Sequence, residues 1–366
     1  MMFDPTKPFN DLPLLPPPVE LETPAILKAV VRASRPLGEL KGQCGKLPNP
    51  RILVQALVLQ EAKGSSEIEG IVTTHDSLYR ALGMANEADI DPGTKEVLRY
   101  REAVGQGVLS IRSGKPLCVS LYEDLVKTIK VTDGGIRKIP GTQLRNDQTG
   151  AIVYTPPEGE EILREKLSNF DRFLNNELAP DMDPLIKLAV AHYQFEAIHP
   201  FHDGNGRVGR LINVLYLMQC GLIEEPVLYL SGFIFQNRSD YYRLLQEVTT
   251  HGAWEPWVLY MIEAVHQTAI DTIKQVKAIL ACMKEFADSA KKQCPRAYSK
   301  DLVELLFERP YCRINLLAEK GLSTRQTASR YLTDLVEIDL LRVVKYGKEK
   351  IYINHSFLNV LKKSQA

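Results

Sequence analysis

Read as apolar against polar positions, the chain begins with no period at all. Pro5, Pro8, Pro13, Pro16, Pro17, Pro18 and Pro24 interrupt Leu12, Leu14 and Leu15. Proline fixes φ and lacks a backbone donor, so this stretch predicts an extended arm whose leucines lie along a surface. A helical period follows: Ala25, Ile26, Ala29 and Val30 predict a helix over 24–37, and Ile52, Leu53, Ala56, Leu57 and Leu59 a second over 52–69, closed by Gly70 in a left-handed cap. Residues 71–136 predict helices with polar connections, two capped at Thr74-His75-Asp76 and at Asp91-Pro92, a third over 121–129.

The texture changes at 134–157. Turn signals at Gly134-Gly135, Pro140-Gly141 and Asn146-Asp147-Gln148-Thr149-Gly150 separate the β-compatible runs 142–145 and 151–155, which predicts a hairpin. An amphipathic helix over 161–178 comes next. Asp183 as N-cap and Pro184 as first residue then open a helix over 185–198 that is apolar on most sides and hence central. Another helix starts near Gly206 and carries the apolar run 211–218; Ser239 is the candidate cap of the one after, and 254–292 reads as one long amphipathic region.

A boundary falls near Gln293-Cys294-Pro295. Beyond it, 299–308 and 313–319 read as helices, Ser323 caps a helix over 323–335, and the strands 341–345 and 350–353 turn at Tyr346-Gly347-Lys348. This order resembles a winged helix, whose recognition helix carries Arg325, Gln326 and Arg330, side chains able to meet phosphates or bases. Protein contact and DNA contact both stay open for it.

Composition narrows the class only slightly. The chain has 366 residues, 25% of them charged and 45% hydrophobic, enough for two or three soluble domains. Lys+Arg and Asp+Glu both number 45, so no global field selects nucleic acid. No apolar stretch is long enough to span a membrane and the N-terminus lacks a signal peptide's texture, which predicts a cytoplasmic protein without membrane contact. The six cysteines (44, 118, 220, 282, 294 and 312) are scattered without a Cys-x-x-Cys pair, as suits free thiols.

The chemistry is concentrated in His199-Pro200-Phe201-His202-Asp203-Gly204-Asn205-Gly206-Arg207-Val208-Gly209-Arg210. Glycines let a backbone approach an anion, and a helix starting there aims its positive end at the same point. Arg207 and Arg210, three apart, share a helix face and can both point at one polyphosphate. Asp203 offers the hard oxygen that Mg²⁺ takes beside substrate phosphates, and His199 is the side chain best poised to remove a proton near neutral pH. His192, His199 and His202 do not suggest a transition-metal site, because Pro200 breaks the helix between them.

This run resembles the Fic motif, His-Pro-Phe-x-Asp/Glu-Gly-Asn-Gly-Arg-x-x-Arg, with every fixed position filled. The resemblance implies a mostly α protein: a Fic helical core with a β-hairpin flap, followed here by the winged-helix domain. The expected division is 1–110 for the arm and N-terminal helices, 111–293 for the catalytic core and 294–366 for the winged helix.

It also implies transfer of AMP from ATP to a Ser, Thr or Tyr hydroxyl of a protein, with His199 as base and Asp203 holding Mg²⁺. ATP would be bound by Gly204, Asn205, Gly206, Arg207, Val208, Gly209 and Arg210, with Asn237 and Tyr241 at the base or ribose. A target would dock on the 137–157 hairpin by β-augmentation. Ser65, Glu69 and Gly70 resemble the family's inhibitory motif, Ser/Thr-x-x-x-Glu-Gly/Asn, which implies that Glu69 pairs with Arg210 in place of a terminal phosphate. The alternatives are a DNA-binding regulator whose site only senses nucleotide, and removal of AMP or transfer of phosphate by the same fold. Homodimerisation is left open.

Overall fold

The computed structural model describes residues 3–45, 49–83, 90–132, 134–146, 149–346 and 349–363. Two helices make its frame. Helix α1 (Pro24–Cys44) buries Ile26, Val30, Ala33, Leu37 and Leu40 on one face and lies along the long helix α11 (Trp254–Gln293). It runs on through Pro36, beyond the predicted end at 37, because the buried stripe continues to Leu40 and Cys44 and outweighs the lost backbone bond.

Between these come α2 (Pro50–Ile68), α3 (His75–Gly83), α4 (Pro92–Arg112) and α5 (Val119–Lys130). Their caps match the chemistry of the sequence: Asp91 accepts from the Thr94 amide and Thr74 from the Ser77 amide. The expected division at 110/111 falls inside the last turn of α4, which packs on α5.

The hairpin is short: β1 (Leu144–Arg145) pairs antiparallel with β2 (Ile152–Tyr154), and Asp147 and Gln148 of its predicted turn lie outside the described residues. The proline-rich arm is anchored beside it. Phe9 donates its amide to Thr155 O at 3.0 Å, Thr155 Oγ1 donates to Pro5 O at 2.7 Å, and Phe3 and Phe9 pack on the Tyr154 ring. Lys166 Nζ and Gln194 Nε2 then hold Leu12 O and Pro13 O, so the arm is fixed by its own carbonyls as well as by buried Leu12 and Leu15.

Helix α6 (Glu160–Leu174) stops four residues short of the predicted end and leads to α7 (Pro184–Ile198), capped by Asp183 and buried at nearly every position. Next to it runs α8 (Asn205–Gln219), followed by α9 (Ser231–Gln236) and α10 (Arg238–His251). Asn237 stands at the N-cap of α10 in place of the expected Ser239 and makes no side-chain cap bond.

After α11 come α12 (Lys300–Glu308), β3 (Tyr311–Arg313), α13 (Ile314–Glu319), α14 (Arg325–Glu337), β4 (Arg342–Tyr346), β5 (Glu349–Ile353) and α15 (His355–Lys363). The antiparallel sheet has the order β3-β5-β4. Thr324, one residue later than the expected Ser323, caps α14 by accepting from the Thr327 amide. Gly347 and Lys348 of the predicted turn lie outside the described residues. This module sits on the helical part: Tyr311 stacks on Tyr79 and Gln60 donates to Leu361 O. All six cysteines are free thiols.

Candidate active site

The centre of the molecule is the junction of α7 and α8. His199 ends α7 in the left-handed region at φ 48°, which turns the chain sharply into the loop, and Gly204 at φ 84° turns it back to start α8. The first amides of α8 lack intrahelical acceptors, so they form a positive helix end at Gly206.

Asn205 braces this loop instead of pointing out of it. Its Oδ1 accepts from the Phe201 amide at 2.8 Å and its Nδ2 donates to Phe201 O at 2.7 Å, so both ends of the amide are used within the loop. In this arrangement the Asn205 side chain shapes the loop, and its part in binding ATP remains an expectation. Val208 is buried in the core and gives its amide to Gly204 O. Gly209 allows α8 to approach α7, since a Cβ there would come within 2.7 Å of Glu196 Oε1 and 3.1 Å of Phe195 Cδ1. Both contribute to packing here.

The two arginines diverge. Arg207 is buried and sends Nη1 to Glu96 Oε1 at 2.6 Å, with Nη2 3.6 Å from Asp203 Oδ1. Arg210, also buried, donates Nε to Ser65 Oγ and Nη2 to Ser65 O, both at 2.9 Å, and Nη2 to Glu69 Oε1 at 2.8 Å. Burial disfavours this guanidinium, but Glu69 first, then Tyr241 and Glu196, outweigh it and hold its pKa above the ordinary arginine value. Ser65, on the last turn of α2, thus positions Arg210, and Gly70 at φ 78° ends the turn that presents Glu69.

The Glu69 carboxylate lies over the helix end. A Cβ built on Gly206 would meet Glu69 Oε1 at 2.5 Å and Arg210 Nη1 at 2.9 Å, so only glycine admits this anion here. A carboxylate therefore occupies the anion position at the start of α8, with a buried guanidinium beside it.

His199 stands at the rim, half buried, with Nδ1 unpartnered. Burial, and then the Arg137 guanidinium, hold its imidazole down at about 4, so it is neutral and able to accept a proton. Asp203 is exposed and ionised: burial raises its pKa less than Lys130 and Arg207 lower it. A hard cation fits this carboxylate, because a cation, the Lys130 ammonium, is already drawn to it at 2.6 Å.

Asn237 and Tyr241 lie at the α9–α10 junction. Asn237 Nδ2 donates to Phe233 O at the α9–α10 junction, and the buried Tyr241 hydroxyl meets His192 Nε2 at 2.9 Å within a cluster that includes Trp257. Apolar burial draws Tyr241 inward, and the base or ribose contact remains an expectation for both.

Several site residues carry no sequence signal, because their partners are remote along the chain. Arg137, buried just before the hairpin, donates Nε to His199 O at 2.8 Å and Nη2 to Ile198 O at 3.4 Å and to Pro157 O, tying the base of the flap to the loop. We expect Arg137→Ala to cost about 2–4 kcal/mol, measured by denaturant unfolding, because it strands buried carbonyls, and Arg137→Lys to recover only part since an ammonium lacks the fork.

Glu61, buried behind Arg210, accepts from Tyr100 Oη and Ser231 Oγ, and burial holds its carboxyl up at about 7. Its folded pKa exceeds the unfolded value near 4.5, so its contribution is complete below pH 4.5 and is lost as pH rises through 7. The stability advantage of wild type over Glu61→Gln should therefore fall by roughly 2–3 kcal/mol between pH 4.5 and 8, read from unfolding at the two values.

Known proteins were compared with this site. The "Fic/DOC family N-terminal" family matches residues 27–109, "Fic/DOC family" matches 117–217, and "Protein adenylyltransferase SoFic-like, C-terminal domain" matches 282–357. Among curated relatives, protein adenylyltransferase Fic of Nematostella vectensis is 28% identical over 61% of this chain and 50% of its own. That of Drosophila melanogaster is 32% identical over 52% of this chain and 40% of its own. The chain thus spans half or less of the length of these relatives.

Two solved structures share the fold. A Fic family protein from Desulfovibrio desulfuricans G20 has a TM-score of 0.58 at 19% identity and covers 92% of this chain and 98% of its own. Fic-1 of C. elegans has a TM-score of 0.53 at 22% identity and covers 69% of this chain and 74% of its own. A chain that meets both Fic/DOC segments in order, over half of its length, belongs to the Fic/DOC family.

Proposed function

We propose that this protein transfers AMP from ATP to a Ser, Thr or Tyr hydroxyl of a target protein or of itself, releasing pyrophosphate, and that Glu69 restrains the reaction. The observation that carries this reading is the Glu69 carboxylate, which occupies the anion position between the α8 start and Arg210. A group held by those same contacts marks where an outer phosphate belongs. The relatives named protein adenylyltransferase support the reaction class.

In the reaction, His199 takes the proton of the target hydroxyl as its oxygen bonds to the α-phosphorus. The bond from that phosphorus to the bridging oxygen of the β-phosphate breaks, and pyrophosphate leaves with the electron pair. The free amides of the first turn of α8 stabilise the charge developing on the α-phosphoryl oxygens. Arg210 binds the outer phosphates once Glu69 leaves it, and Arg207 supplies fixed positive charge from the other side. Mg²⁺, held by Asp203, would neutralise phosphate charge.

The target reaches the site along the hairpin. The arm already accompanies the chain just after β2 through Phe9 and Thr155, and β2 pairs with β1, which leaves the outer edge of β1 for an extended segment. Ile139, strongly exposed at the base of the flap, offers it an apolar contact.

The test is incubation with Mg²⁺ and ATP labelled at either the α- or the γ-phosphorus. Label from the α-position in protein supports AMP transfer, whereas γ-label alone would make the chain a phosphotransferase. A second reading has its own observation: α14 exposes Arg325, Gln326 and Arg330. If neither label enters protein, even with cell extract as target, the C-terminal module and nucleotide sensing become the better account.

A further inference from the structure

The Asp203 carboxylate already has a cation. Lys130 Nζ lies 2.6 Å from Asp203 Oδ2 and 2.8 Å from Glu96 Oε1, bridging carboxylates that come from the loop and from α4. Its stem runs over Gly204, where an added Cβ would come within 3.5 Å of Lys130 Cγ and 3.8 Å of Cδ. Glu96 Oε1 also holds Arg207 Nη1, so two cations and two anions balance one another. A Lys ammonium between two carboxylates takes the ground that a hard divalent cation needs when it binds Asp203.

The two cations of this cluster are not equivalent. Arg207 is 1% exposed and its planar fork is fixed by Glu96, whereas Lys130 is 23% exposed on a flexible four-carbon stem. Lys130 is therefore the member that can move. Because the stem lies along the anion loop, its ammonium can leave Asp203 and stay near whatever phosphate the loop holds.

We propose that Lys130 is the resident counter-cation of Asp203 and exchanges with the metal of the incoming nucleotide: Lys130 releases Asp203 to Mg²⁺, keeps Glu96, and turns its charge toward the phosphates. This rests on the reading of Asp203 as the metal ligand. The exchange keeps an isolated carboxylate from standing open in the empty site, and it makes metal alone a poor ligand and metal with nucleotide a good one. It also predicts effects of opposite sign on two ligands, which a purely structural lysine does not produce.

The test uses the full chain with Mn²⁺ alone as probe, following the signal of free Mn²⁺ by electron paramagnetic resonance, in wild type, Lys130→Met, Lys130→Gln, Lys130→Arg and Asp203→Asn. Both uncharged variants should bind Mn²⁺ about fivefold more tightly than wild type, the scale on which a partly exposed ion pair acts, and Lys130→Arg should stay near wild type. In a Glu69→Gly background the same uncharged variants should bind Mg-ATP more weakly by calorimetry. Unchanged or weaker Mn²⁺ binding in both Lys130→Met and Lys130→Gln overturns the exchange. If Asp203→Asn leaves Mn²⁺ binding intact, the metal-ligand reading itself fails, and the exchange falls with it.

Discussion

Glu69→Gly raises AMP incorporation about 10- to 100-fold over wild type, the range expected when one charge-assisted contact stops competing with a phosphate for the same guanidinium. Glu69 Oε1 lies 2.8 Å from Arg210 Nη2 and over Gly206, so carboxylate and outer phosphate cannot share the place. Glycine at this position suits the turn, which ends in Gly70 at φ 78°. The substitution also leaves the buried Arg210 with less counter-charge, held by Ser65 and influenced by Glu196. Glu69→Gly should therefore melt lower than wild type without ligand and gain more stability from Mg-ATP, because binding to the folded state shifts its equilibrium. A loose, inactive site would show the first change without the second.

His199→Ala removes the reaction in either background, with a loss of about a thousandfold or more, as expected when the proton acceptor goes. The fold should survive. The His199 ring's polar neighbour is the Glu196 backbone, a weak contact at best since Nδ1 has no well-formed hydrogen bond, and the loop stays held through the backbone by Arg137 and by Asn205. Alanine at φ 48° meets the same left-handed cost, about 1–2 kcal/mol, that histidine already bears there, so the substitution adds little strain. His199 is held at about 4, low for a base, and a bound polyanion beside it raises that value toward neutrality.

That low value also sets a sign for stability. The folded pKa lies below the unfolded value of 6.5, so the histidine's contribution is complete above pH 6.5 and is lost as pH falls through 4. Between pH 4.5 and 6.5 this loss on acidification runs against the gain from Glu61, held at about 7. His199→Ala should thus be less sensitive to acid than wild type, a difference that proton-transfer loss alone does not predict.

What the sequence made legible was local. The loop is contiguous, so its glycines, its arginines and its histidine could be read together, and periodicity located α7 because nearly every side of it is apolar. Ser65 and Glu69 are one helical turn apart and were readable as a pair, but their meeting with Arg210 across some 140 residues rested on resemblance. Lys130, Glu96 and Arg137 gave no signal, because each acts on the loop from 62 to 111 residues away or through a partner 34 residues off.

Where side chains turn inward, the cause is likewise non-local packing and backbone satisfaction. The loop uses both ends of the Asn205 amide to satisfy the Phe201 backbone, a role the sequence did not signal. Tyr241 packs inward against Trp257, a burial its place after the loop helix did not reveal. Helix α1 outran its expected end at 37 for a similar reason, since packing along α11 decided its length.

The most direct measurement is the intact mass of wild type, Glu69→Gly and Glu69→Gly/His199→Ala after incubation with Mg²⁺ and ATP, alone and with cell extract whose proteins are probed for AMP. The account predicts addition of one or more AMP units by Glu69→Gly, to itself or to an extract protein, little by wild type and none by the double variant. AMP addition that is equal in wild type and Glu69→Gly, or that persists in the double variant, would contradict it.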